Sequence, residues 1–80
     1  MLVVNFKSYQ QASGKKALQL AKVCSDISKK THVNIILAPQ FTDLGVLKRF
    51  VSLPLIAQHV DPVYQGRYTG YVSLFSLISI

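Results

Sequence analysis

An amide and an ammonium, Asn5 and Lys7, stand two residues apart at the end of a short apolar stretch, Leu2-Val3-Val4. On a strand, side chains two apart share a face, so the pair can reach into one site. Such a pair is suited to binding and positioning; the plainer alternative is an exposed lysine beside a turn-forming amide. Two further polar groups follow apolar runs, Gln40 after Ala38-Pro39 and Gln58-His59 after Ala57. Each lies at the carboxyl end of a predicted strand, the edge where ligands bind in parallel α/β sheets.

The elements that must hold these residues alternate. A strand over Leu2–Lys7 is followed by a loop from Ser8 to Ala12 and a helix from Gly14 to Lys30 with Ser13 as its N-cap. Ala17, Leu20, Ala21, Cys24 and Ile27 form its apolar stripe. Lys29 and Lys30 suit its last turn. Thr31-His32 then turns the chain without the usual glycine. Val33–Ala38 reads as a strand covered on both faces, and Pro39 ends it. Thr42 or Asp43 can cap a helix over Leu44–Phe50, which Gly45 weakens. Pro54 introduces a third strand, Leu55–Ala57, and a long loop runs from Gln58 to Gly70. The order β-α-β-α-β predicts a parallel sheet with right-handed crossovers, either doubly wound or the start of a (β/α)8 barrel. No G-x-G-x-x-G follows the first strand, which removes the dinucleotide-binding fingerprint.

Composition narrows the function classes. Nine Lys and Arg against three Asp give a net charge of +6, and five lysines (15, 16, 22, 29, 30) lie in or beside the first helix. No aromatic residues interleave with them, so a solvated helix face is a better reading than a nucleic-acid surface. Cys24 is the single cysteine, which rules out an internal disulfide and fits a buried thiol. No apolar run approaches the ~20 residues of a membrane span, and no signal segment precedes the first strand, so no membrane role and a cytoplasmic location are expected.

Four short stretches carry a resemblance. Val3-Val4-Asn5-Phe6-Lys7 resembles the N-terminal N-x-K signature of triosephosphate isomerases, in the N-F-K form of the archaeal members. Asn34–Gln40 resembles that family's second strand, Ala57–Pro62 its third, and Gly66-Arg67-Tyr68-Thr69-Gly70 the G-x-x-T-G of its third loop. Together they span residues 2 to 70 in order. The resemblance implies an α/β fold: the β-α-β-α-β start of an incomplete (β/α)8 barrel, with residues 1–80 as its N-terminal part and 71–80 as an atypical tail. It implies interconversion of dihydroxyacetone phosphate and glyceraldehyde 3-phosphate, with no cofactor and no metal. A glutamate base and a neutral histidine do the proton chemistry in that family.

On that resemblance Asn5 is the substrate-positioning amide, and Lys7 is both substrate-binding and catalytic, its cation facing phosphate and enediolate oxygen. Thr69 becomes a subunit-interface residue of a homo-oligomer. Gln58 orients the rim of the site. His59, despite its type, matches a third-loop position and is expected to be structural, and His32 has no role. Tyr71 stands where the family carries an acidic residue or, in archaeal members, histidine. Val72–Ile80 has no charged residue, unlike the family's third helix, and reads as β-prone. A barrel needs about 250 residues, so this chain alone is expected to be inactive, its glutamate and histidine partners lying elsewhere. A non-catalytic piece that associates with other chains and a basic nucleic-acid module are the competing readings.

Overall fold

The computed structural model describes residues 1–80. Strand β1 (Leu2–Asn5), helix α1 (Lys15–Thr31), strand β2 (Ile35–Ala38), helix α2 (Phe41–Phe50) and a short helix α3 (Leu74–Ile78) follow in order, with one 3₁₀ turn at Gln10–Ala12. β1 and β2 pair in parallel, Leu2 opposite Ile35 through Asn5 opposite Ala38. The bonds from Leu2 N–H to the Asn34 carbonyl (2.8 Å) and from Phe6 N–H to that of Ala38 (3.0 Å) extend the ladder at both ends.

Alternation sorts the strand residues onto two faces. Val4, Phe6, Ile35 and Leu37 point to the helices, and the last three are buried. α1 meets them with Ala17, Ala21 and Cys24, whose small side chains let the helix lie close. Val3, Asn5, Ile36 and Ala38 share the other face, on which Val3 is still half exposed. On that face β2 is nevertheless covered, Ala38 fully and Ile36 in part, and it is β1 that lies open. Ile27, expected in the α1 stripe, is also exposed. No helix is long and apolar enough to cross a membrane.

The third strand is reduced to one parallel bridge, Leu37 with Leu55. Leu37 N–H donates to the Pro54 carbonyl (3.0 Å) and Ile56 N–H to that of Leu37 (2.9 Å). The segment has the order and direction of a third barrel strand, but nothing holds its outer edge. The tail also differs from its β-prone reading. Ser73 caps α3 by accepting from Ser76 N–H at 3.3 Å, a local bond that serine supplies readily at a helix start.

Two helix starts depart from expectation. Ser13 does not cap α1; the N-cap is Gly14, at φ 61° and ψ −130°, a conformation open chiefly to glycine. Its N–H donates to both oxygens of the buried Asp43 carboxylate, at 3.2 and 3.1 Å. Asp43 is not the cap of α2 but lies in its first turn, and α2 begins earlier, at Phe41.

The exit of α1 matches its reading. His32 occupies the left-handed region at φ 60°, and its N–H bonds the Ser28 carbonyl at 2.9 Å. Glycine adopts that geometry without a Cβ penalty. We expect His32→Gly to raise stability by about 0.5–1 kcal/mol, the relief of a left-handed penalty of about 1–2 kcal/mol less the entropy glycine adds to the unfolded chain, read as a higher urea midpoint. An unchanged or lower midpoint would show that the strain at His32 does not exceed the entropy cost of glycine.

Candidate active site

The site grows from the way β1 ends. Phe6, almost fully buried, pins the chain one residue beyond the strand. Lys7 then turns to φ 51°, so it is not a strand residue. The i, i+2 argument for a shared face therefore fails at Lys7, because the backbone has already left the pleat. What joins the two residues is a direct bond: Lys7 N–H donates to Asn5 Oδ1 at 2.8 Å. Asn5 closes a local turn with its oxygen. Its Nδ2 makes no hydrogen bond within the chain, and the residue is exposed.

Gln58 completes the corner. Its Nε2 donates to the carbonyls of Lys7 and Ala38, both at 3.1 Å. One amide from the third strand segment thus joins the ends of the other two. A positive φ is uncommon for a residue with a Cβ; at Lys7 the N–H and the carbonyl are each held by a side chain. The Lys7 side chain is exposed and has no ion-pair partner. Its ammonium is available to an anion. Elsewhere at this edge Gln40 Nε2 donates to Ser13 Oγ (2.6 Å), and Ser13 Oγ–H to the Tyr9 carbonyl (2.7 Å). These bonds tie the loop after β1 to the end of β2.

The remaining residues sort apart from this corner. The His59 ring packs edge-on against Phe41, with centroids 4.7 Å apart, and its Nε2 lies 3.5 Å from Asp61. Asp61 is bonded in both directions to Val72: its N–H donates to the Val72 carbonyl and its carboxylate accepts from Val72 N–H, each at 2.7 Å. These contacts give His59 a place in the packing of the loop. Thr69 stands exposed in the loop that the Asp61–Val72 bonds close, with no hydrogen bond to Asn5, Lys7 or Gln58. Cys24 lies on the buried side of α1, and burial pushes its thiol up from the ordinary value, the reverse of what a nucleophile needs. No cluster of His, Cys, Asp and Glu is arranged to hold a metal ion.

A parallel β-α-β-α unit that adds a third segment in strand order, with polar groups at the carboxyl ends, is consistent with the start of a β/α barrel. The sequence profile described as Triosephosphate isomerase matches residues 1–80, and the chain belongs to that family. A triosephosphate isomerase of Methanothermus fervidus is 46% identical over 74 residues, covering 92% of this chain and 33% of the relative. One from Methanothermobacter thermautotrophicus is 40% identical over 72 residues (90% and 31%). One from Pyrobaculum calidifontis is 39% identical over 77 residues (96% and 34%). The chain spans about a third of the length of these curated relatives.

Proposed function

We propose that this chain supplies the Asn5–Lys7 corner of a triosephosphate isomerase, interconverting dihydroxyacetone phosphate and glyceraldehyde 3-phosphate. The observation that carries the reading is the unpaired Lys7 ammonium on a backbone held by Asn5 and Gln58. A dianionic phosphate and a developing enediolate both call for a fixed cation, which is worth more in a dry site than in water. Asn5, its oxygen committed to the turn, offers its NH₂ to a substrate oxygen. The chain contains no glutamate, so the family's carboxylate base must come from a different stretch.

The isolated 80-residue chain is therefore expected to show no isomerase turnover above the buffer rate. Turnover should appear when it is mixed with the part of the Methanothermus fervidus relative that follows the matched third. Turnover by the isolated chain, or none from a folded complex of the two, would defeat the reading. The half-exposed Val3 and the exposed Ile56 favour a second reading, a non-catalytic piece that covers its open sheet with other chains. Association without turnover is its signature. The isomerase reading also places the protein in the cytoplasm as an archaeal-type homo-oligomer. Thr69 then lies at the subunit interface, which the exposure of its loop supports.

A further inference from the structure

We infer that Gln58 is a positioning residue for Lys7: its side-chain amide locks the left-handed backbone from which the Lys7 ammonium is presented. The inference rests on the isomerase reading for its consequence in turnover, but on geometry for its substance. The Lys7 N–H is held by Asn5 Oδ1 at 2.8 Å and its carbonyl by Gln58 Nε2 at 3.1 Å. Asn5 alone fixes only the near side of the turn, from two residues away in sequence. Gln58 reaches Lys7 from 51 residues away. It also holds the Ala38 carbonyl, so the Lys7 peptide is referenced to the ends of β1 and β2 at once. That same Ala38 carbonyl accepts from Phe6 N–H at 3.0 Å. A single planar NH₂ group with two donors suits this bridge, since both hydrogens find a carbonyl. A carboxylate there could only accept, and would face two other acceptors. Without the bridge nothing on the carbonyl side keeps Lys7 at a positive φ, and its long side chain swings with the backbone.

Two variants test this. Gln58→Met keeps the length and removes the donors; Gln58→Glu keeps the shape and replaces donors with acceptors. In the 80-residue chain, the Lys7 backbone shifts and the one-bond Cα–Hα coupling report the sign of φ. We expect Lys7 to leave the positive-φ region in both variants. In the complemented complex we expect kcat to fall by about tenfold to 10²-fold, the scale of a small misplacement of a reacting group, with KM changed much less. Lys7 remaining at positive φ in both variants would overturn the inference whatever the kinetics. A backbone change with kcat intact would overturn it as well. Loss of the folded spectrum in both variants would make Gln58 a structural strut and end the proposal. Should the unsubstituted complex show no turnover, the isomerase reading falls while the Lys7 backbone still decides whether Gln58 positions it.

Discussion

Lys7→Ala, made in the 80-residue chain and assayed with its complementing segment, is expected to lower kcat by about 10²–10³-fold, the usual loss for one group aimed at a developing oxyanion. Two features set the size. Lys7 carries no internal ion pair, so its charge is not already neutralised by the protein. Its backbone is fixed on both sides, so little reorganisation is left to the moment of reaction. Lys7→Arg should recover only part of the loss. A guanidinium keeps the charge, but its planar fork is wider than a compact ammonium and matches a different geometry. The contrast separates catalysis from general attraction of an anion. If a cation anywhere near β1 sufficed, arginine would restore the rate, and Lys7→Ala would raise KM alone. An unchanged kcat in Lys7→Ala would remove Lys7 from the site.

The way this corner was legible is instructive. The types and spacing of Asn5 and Lys7 pointed to one site, yet through a strand geometry that the chain does not have. β1 stops at Asn5, and the spacing matters because an Asx-type turn needs its acceptor two residues before the N–H it binds. The strand-helix order, the α1 stripe at Ala17, Ala21 and Cys24, and the αL exit at His32 all follow from local rules and stand in the structure. What local rules miss is closed over long separations. Ser13 has the side chain of an N-cap, but it is engaged with Tyr9 and Gln40, and the α1 N-terminus is met by Asp43 from 29 residues away. The third strand has the right composition, but Pro54 lacks an N–H and the far edge has no partner, so one bridge forms. Gln58 was legible as a rim residue; its two carbonyl partners lie just past β1 and at the end of β2, and no sequence spacing reports them.

Asp43→Ala is expected to destabilise the fold by about 2–3 kcal/mol, on the scale of a hydrogen bond to a charged group plus a helix-terminus charge. The carboxylate serves two helices. It accepts the Gly14 N–H at the start of α1 with both oxygens, and it sits in the first turn of α2, where a negative charge meets the positive end of the dipole. It is buried, with no cation beside it, so the two helix ends are its compensation. Alanine leaves the α1 start without its acceptor. A chain of this size has a stability of about 4–12 kcal/mol at the general rate per residue, and a sheet open on one face belongs near the bottom of that range. The loss should therefore be visible as partial unfolding at room temperature, followed by circular dichroism in a urea series. Asp43→Asn retains an acceptor without the charge and should fall between, at about 1 kcal/mol. The order Asp, Asn, Ala is the decisive feature. If asparagine were as damaging as alanine, the charge would matter and the Gly14 bond would not. If both variants unfolded at the urea concentration of the parent chain, the link between the two helix starts would contribute nothing to stability.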